Sequence, residues 1–501
     1  MHARATKGAP GQGRRLQSPA RVLQLRRRPL RRANACLLAS AFLALSGCVL
    51  SPQGAESERA RLADVGKAYE PRFEERVLAD LPDAPVWQDI LHRAFMANGD
   101  VEGAYFRWKA AVERIDVAGA WPNSDVSLGY EYMFSRERMK AFDRSTFTAG
   151  FDSAMSLSLP IKVEQGAKVA LDEARVAGEE FRVAKFDLQR AVLQTWAEYV
   201  LQEQLIALRT EDLAIRRVQA EAAAGGVRSG RRVRDVLAAD LDLRTDENGL
   251  LDLRSEHDQT RAKLNALMGR PPQLPLRAPL AFPPPRELPD DDAVLFSAAA
   301  DRFPEVAVLG REVEGRADAL ELARLRWIPD ISPTLGFTGS LSQTVGLMLT
   351  LPTNIAGIRG QIREAQAQLR ASQAMLRQRS SDRIGEYFSL LLMYRNAQRQ
   401  AAVLETAILP AAKRLSDEQV RAYEGGASTF AEVIESRRLP LSIRELIATA
   451  HAQMDKALVE IECCLGLDIE QLPSAAPPLP PGEVPPAPPV NADKQEARHE
   501  H

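Results

Sequence analysis

The sequence lacks most of the features that build enzyme active sites and membrane pumps. Only 6% of its 501 residues are aromatic, which is little for a β-sandwich or a deep enzyme pocket. It contains no Gly-x-x-x-x-Gly-Lys-Ser/Thr, Gly-x-Ser-x-Gly or His-Glu-x-x-His motif, and its six histidines form no cluster. No apolar run reaches the roughly 18 residues that a membrane-spanning helix needs. The sequence therefore predicts no catalysis, no cofactor, no bound metal and no polytopic membrane pump.

Charge is distributed unevenly along the chain. Residues 1–47 contain ten Lys and Arg and no Asp or Glu, whereas the remainder has 55 basic and 67 acidic residues, a net charge of −12. Because binding to a phosphate backbone requires a basic surface, this remainder is not expected to bind nucleic acid.

The N-terminus has the pattern of a targeting signal. A basic stretch precedes about 13 apolar or small residues, which end in Leu45-Ser46-Gly47-Cys48. This sequence resembles a bacterial lipobox, so we predict that 1–47 is a lipoprotein signal peptide and that Cys48 is lipidated. An ordinary secretory signal with a chance cysteine is the alternative. Val49, rather than Asp, follows the cysteine and by resemblance to sorted lipoproteins favours the outer membrane.

Two halves of the chain repeat each other. Trp121-Pro122 corresponds to Trp327-Ile328-Pro329, and Ser158-Leu159-Pro160 corresponds to Thr350-Leu351-Pro352. Offsets near 200 residues indicate a duplicated module rather than a solenoid. The predicted organisation is a lipid-anchored segment at 48–85, a first repeat with its linker at 86–290, a second repeat at 291–470 and a Pro-rich disordered tail at 471–501.

Each half contains two short segments in which apolar residues alternate with Ser, Thr and Gly. They lie at about 126–135, 147–159, 331–338 and 344–351. Alternation over roughly ten residues is typical of transmembrane β-strands. Soluble hairpins packed on helices are the alternative. Four strands cannot close a barrel alone, and lipid excludes an open sheet, so other copies must complete it. Three copies would give 12 strands.

Long helices are predicted between the hairpins. One helix spans about 165–224, and the next has a coiled-coil ladder in which His257 is expected as a tolerated seam residue. The second half repeats this plan at 361–423 and 430–465, where Cys463 and Cys464 are expected as buried small residues rather than a redox or metal site. Gly225-Gly226 and Gly425-Gly426 mark the two turns. The fold class is therefore mainly α with a small β-barrel contribution.

Together these features resemble the outer-membrane factor (TolC) family of efflux and secretion ducts. The resemblance covers about residues 86–470 and includes a tip motif similar to Tyr-x-x-Gly-x-x-Ser/Thr-x-x-Asp-Val, here at 423–433. It implies a homotrimer with 12 strands in the outer membrane above an α-helical barrel. It also implies that the helical tips dock a periplasmic adaptor, which links the duct to an inner-membrane pump.

The resemblance assigns roles to residues at both tips. The residues expected to dock the adaptor are Gly225, Gly226, Arg228, Tyr423, Gly425, Gly426 and Thr429. Asp235 and Glu432 match an acidic position near the closing constriction, where they are expected to form an electrostatic gate or simply to place charge at helix N-termini. The first tip departs from the motif, and two registers remain open for it.

The predicted function is the outer-membrane channel of a tripartite efflux system. Two alternatives remain open: a periplasmic coiled-coil scaffold lipoprotein without a pore, and an exit duct for type I polypeptide secretion. The substrate is not encoded in an evident motif, since no Met-rich or His-rich tract is present.

Overall fold

A computed structural model describes residues 49–78, 80–120, 126–134, 140–151, 159–225, 233–279, 288, 303–338 and 342–466. The chain divides into two compact units, Met1–Val49 and Leu50–His501. The predicted signal peptide, Cys48 and the tail at 471–501 lie outside the described residues. The helices and strands described here belong to the second unit.

Four antiparallel strands form one sheet in the order β1-β2-β3-β4. They are β1 (Val126–Tyr132), β2 (Ser145–Phe151), β3 (Asp330–Thr338) and β4 (Ser342–Thr350). The two predicted hairpins are therefore confirmed, and they join through β2 and β3, where Phe147 pairs with Phe337. The strand ends lie within three residues of the predicted segments, except that the expected continuation of β2 at 152–158 lies outside the described residues.

The first half contains three helices before the sheet and two long antiparallel helices after β2. Helices α1 (Ala55–Gly66), α2 (Trp87–Ala97) and α3 (Gly99–Gly119) precede β1. Helix α4 (Pro160–Gly225) follows β2 and, at 1.5 Å per residue, is about 100 Å long. Helix α5 (Val233–Leu267) returns along it. Six large apolar side chains of α4 are buried: Phe186, Val192, Leu193, Trp196, Val200 and Leu208.

The second half repeats this arrangement with one interruption. Helix α6 (Pro304–Leu325) leads into β3, and α7 (Ile355–Val403) follows β4. A π-helical turn, Leu404–Ile408, separates α7 from α8 (Leu409–Glu424), and α9 (Phe430–Cys464) returns. The helix predicted over 361–423 therefore forms, but this π turn interrupts it. Leu404 and Ala412 pack there against Ile443 of α9, which itself contains Pro440.

Helix α1, in the segment predicted to follow the lipid anchor, packs on α3 and α4. Trp108 of α3 stacks on Phe181 of α4 with ring centroids 5.7 Å apart. The Trp108 indole N–H donates to the buried Glu58 carboxylate of α1 at 2.9 Å. Because a buried carboxylate is costly without a donor, this bond fixes α1 on the α3–α4 pair.

His257 and the Cys463-Cys464 pair match their sequence predictions. His257 lies in the α4–α5 seam, stacked on Tyr199 at 4.2 Å, and desolvation lowers its pKa. Cys463 and Cys464 are free and buried, and burial raises the pKa of the Cys464 thiol to about 11. Both sites therefore have ordinary packing environments.

Candidate functional site

Helices and strands are arranged in the same lateral order. Next to the sheet, α3 packs on α4, α4 on α6 and α6 on α7, which matches the order β1-β2-β3-β4. Farther away, α5 packs on α4, α4 on α9 and α9 on α7. One lateral edge of the chain is thus formed by β1, α3 and α5, and the other by β4 and α7. Neither edge strand has a second strand partner among the described residues.

Apolar side chains are exposed on the helices of the first edge. On α5, Val233, Leu237 and Leu241 follow each other at four-residue spacing and are all more than half exposed. On α3, Phe106 and Val117 are exposed on the side opposite the buried Trp108 and Ile115. Repeated spacing of this kind places the side chains on one face of a helix. This edge therefore has apolar faces that no element of the same chain covers among the described residues.

The opposite edge has a matching face on α7, which we call the α7 stripe: Ile384, Phe388 and Leu392. These residues are also four apart and are 43–54% exposed. The buried α7 residues Tyr387, Leu391 and Tyr394 lie on the side that packs on α6 and α9. Large exposed apolar patches on a soluble surface mark contacts with other molecules. The α7 stripe is such a patch.

The second tip is a compact loop between α8 and α9. Gly426 has φ +75°, and its N–H donates to Tyr423 O at 3.0 Å, while Ala427 N–H donates to Ala422 O at 2.8 Å. This pair of bonds is a Schellman termination, in which glycine accommodates the left-handed backbone. Tyr423 and Phe430 face each other across the loop with ring centroids 6.1 Å apart. Glycines 425 and 426 therefore set the turn, and Tyr423 stays on its surface.

Thr429 and Glu432 form a capping box at the start of α9. Thr429 Oγ1 accepts from Glu432 N–H at 3.3 Å, and the Glu432 carboxylate accepts from Thr429 N–H at 2.8 Å. Ser428 Oγ also lies 2.9 Å from Glu432 Oε2. Hydrogen bonds from Thr429 and Ser428 lower the pKa of Glu432, which is fully exposed. Glu432 thus has the local capping role that was one of its two expected roles.

The first tip is described only in part. Gly225 is the last residue of α4, and Asp235 lies in the first turn of α5. Gly226 and Arg228 lie outside the described residues, so the two registers of this tip stay open. Asp235 and Glu432 nevertheless occupy equivalent positions, since both are the third residue of a helix that follows a tip.

A partly buried network of ion pairs joins α4, α5 and α9 near the tips. The guanidinium of Arg438 in α9 donates two bonds to the Asp212 carboxylate of α4, at 2.6 and 2.7 Å. Arg438 also lies 3.6 Å from Asp246 of α5, which accepts from Arg216 of α4 at 3.1 Å. A bidentate Arg–carboxylate pair fixes direction as well as distance. Sequence reasoning missed this network because its members are distant in the chain.

Comparison with known proteins supports the architecture. The sequence matches no protein-family profile and no curated protein. Solved structures do match. The outer-membrane channel OprN aligns with a TM-score of 0.61 at 16% identity over 80% of this chain and 95% of its own. VceC, an outer membrane protein of Vibrio cholerae, gives 0.60 at 16% identity over 76% and 96%. The open-state MtrE outer membrane channel of Neisseria gonorrhoeae gives 0.60 at 14% identity over 78% and 93%.

These matches cover nearly the whole length of each relative. They show that the chain has the fold of a subunit of these outer-membrane channels, which confirms the predicted single-chain arrangement of long helices and two β-hairpins. Within the described residues, no helix is both long enough and apolar enough to cross a membrane.

Proposed function

We propose that the chain is the outer-membrane channel of a tripartite efflux system and that it acts as a homotrimer. The observation that carries the proposal is the pair of open edges. In the part of the chain that the structure describes, the edge strands β1 and β4 of the four-stranded sheet each pair with only one strand, so the sheet is incomplete in a single copy. Exposed strand edges are unstable in lipid, because every backbone donor and acceptor must be paired there.

Head-to-tail contact between copies would complete both layers at once. If β4 of one copy pairs with β1 of the next, α7 of the first copy lies beside α3 and α5 of the second. The α7 stripe then packs against the exposed apolar faces of those helices. A contact between two different faces produces a closed ring when the rotation that relates neighbouring copies is a whole fraction of 360°. Three copies give 12 strands, an even number within the range of membrane barrels.

The tips are the proposed docking site for a periplasmic adaptor that connects to an inner-membrane pump. Tyr423, Gly425, Gly426 and Thr429 form an exposed loop between the end of α8 and the start of α9. Gly225, Gly226 and Arg228 are the proposed counterparts at the first tip. A rigid, capped loop favours docking because little ordering entropy is lost on binding.

The proposed location is the outer membrane, with the helices in the periplasm. Cys48 is proposed to carry lipid, so that the anchor and the strands enter the same membrane. Asp235 and Glu432 are proposed as an acidic ring at the narrow end. Six carboxylates in a trimer would favour cations at a constriction, as charged rings do in other channels.

Planar-bilayer conductance of the detergent-extracted protein, with native mass recorded on the same sample, tests the proposal. We expect a trimer mass and discrete channel steps. Since the narrow end can be closed at rest, a silent wild-type trimer is followed by the Asp235→Ala, Glu432→Ala double variant. A monomer or dimer that stays silent in both forms would contradict the channel and favour the periplasmic scaffold.

The type I secretion alternative shares the same channel architecture. It differs in what the energised partner delivers, namely a polypeptide rather than a small molecule. No described feature favours it over efflux, so it remains a secondary hypothesis.

A further inference from the structure

Two carboxyl groups meet between α4 and α6 on the sheet side of the helical layer. Asp172 of α4 is only 2% exposed, and its carboxyl faces that of Asp318 of α6, which is bound by Gln165 and Lys168 of the same α4 face. The α6 backbone approaches closely here, because a Cβ added to Gly315 would lie 3.2 Å from Asp172 Cβ. Two ionised carboxylates that face each other in a buried contact would repel, so a proton on one of them stabilises the contact.

The cations around the pair are unequally shared. Lys168 Nζ donates to Asp318 Oδ1 at 2.8 Å, and Gln165 Nε2 donates to the same oxygen at 3.3 Å. Arg175 Nη1 donates to Asp172 Oδ1 at 3.1 Å. No donor in the described part of the chain reaches Asp172 Oδ2, which is fully buried. The proton therefore belongs on Asp172, which leaves Asp318 ionised beside Lys168.

Among the described residues, the charged groups that act on Asp172 lie only on α4 and α6. The N-terminal segment approaches through the backbone of Gly54, which lies against the Arg175 guanidinium. Lys168 and Arg175, both on α4, and Asp318 on α6 are the charged groups that act on Asp172. Each carboxyl therefore has one cation beside it, Arg175 for Asp172 and Lys168 for Asp318. The more exposed Asp318 also accepts a hydrogen bond from Gln165.

The pKa directions agree with this geometry. Burial, followed by the hydrogen bond to Asp318, raises the pKa of Asp172 from its ordinary 3.8 to about 7. Burial also acts to raise the pKa of Asp318, but hydrogen bonds from Asp172 and Lys168 outweigh it and lower that pKa. The two carboxyls therefore titrate far apart.

We propose that Asp172 and Asp318 share one proton and act as a pH-sensitive clasp between α4 and α6. When Asp172 is protonated, its Oδ2–H donates to the Asp318 carboxylate and holds the helices together. When it ionises, two carboxylates face each other in a buried contact and the helices are pushed apart. Because α4 leaves β2 and α6 enters β3, the clasp joins the helices of the two central strands.

The pH window follows from the raised pKa. A carboxyl with a raised pKa in the folded state contributes stability that is fully present below about pH 4 and lost as the pH rises through about 7. The lowered pKa of Asp318 has the opposite effect, but only below its ordinary value of 3.8. Between pH 5 and 8, the loosening caused by Asp172 ionisation is therefore expected to dominate.

Asp172→Asn tests the clasp, because its amide donates to Asp318 at every pH. In infrared spectra of the full-length protein at pH 6, we expect a protonated-carboxyl C=O band that is present in the wild type and absent in the variant. The wild-type band should titrate with a midpoint near 7. Thermal unfolding should occur a few degrees higher in the variant than in the wild type at pH 8, with a smaller difference at pH 5.

Glu173→Gln is the matched control, since Glu173 is the next residue of α4 and is exposed. It should retain both the band and the pH dependence. Asp318→Asn is a second variant, which should move the titration of Asp172 to lower pH by removing the facing negative charge. An identical band in the wild type and Asp172→Asn, or no pH-dependent difference in their unfolding, would overturn the clasp. These readouts do not depend on channel activity, so the clasp and the proposed function can fail separately.

Discussion

Phe388→Glu is expected to yield a folded monomer instead of a trimer. Phe388 is at the centre of the α7 stripe and is 49% exposed in the single chain. Burying its exposed half contributes about 1 kcal/mol, whereas an unpaired glutamate buried at the same place costs several kcal/mol in each of three contacts. Because the residue is half exposed and is not a member of the buried core of its own chain, helix content should change little. Native mass spectrometry and circular dichroism would measure both properties.

Ser389→Glu is the matched control for this prediction. Ser389 is the adjacent exposed residue, but the helical rotation of about 100° places it off the α7 stripe. The control should remain a trimer. A trimer that persists in Phe388→Glu would show that the copies meet through another surface, and the head-to-tail arrangement would have to be abandoned.

Asp235→Asn combined with Glu432→Gln is expected to reduce the cation preference of the channel several-fold. In a trimer the double variant removes six negative charges from the proposed constriction, and selectivity there depends on the lining charge. Glutamine can still form the capping box with Thr429, so the start of α9 should be retained. Reversal potentials in a salt gradient measure the preference directly.

Glu424→Gln provides the comparison for charge removal at the tip. Glu424 is the exposed last residue of α8 and precedes the turn, away from the two helix starts. It should leave the reversal potential nearly unchanged. If the double variant behaves in the same way, Glu432 acts only as a cap, and the gate proposal is wrong.

The long helices were predictable because their signals are local and repeated. Apolar residues along α4 recur at helical spacing over many turns. Gly225 marks the end of α4, and Gly425 follows the end of α8. Strand alternation was equally visible in 126–132 and 330–338. The interruption at Leu404–Ile408 was not predictable, since a π turn inserts one residue without changing the composition. Pro440 also lies inside a helix, where local preference alone would place an end.

In the candidate site, too, the local features were predictable from the sequence and the contacts between distant residues were not. The tip motif predicted Gly426 and Thr429, because a left-handed turn and a helix cap have strong residue preferences. The capping bond of Glu432 follows from its position three residues after Thr429. The Arg438–Asp212 pair and the Asp172–Asp318 contact are different, since each joins residues more than 140 positions apart. Such contacts depend on how whole helices align, which spacing within one helix does not reveal.

Cysteine labelling in intact cells tests the central claim, that the sheet crosses the outer membrane and the tips lie beneath it. Phe142, between β1 and β2, is 62% exposed, and Glu418 of α8 has a side chain 68% exposed. With a membrane-impermeant maleimide, Phe142→Cys should react in intact cells. Glu418→Cys should react only after the outer membrane is permeabilised. The wild type provides the background, since Cys463 and Cys464 are buried. Labelling of Phe142→Cys only after permeabilisation would contradict the channel.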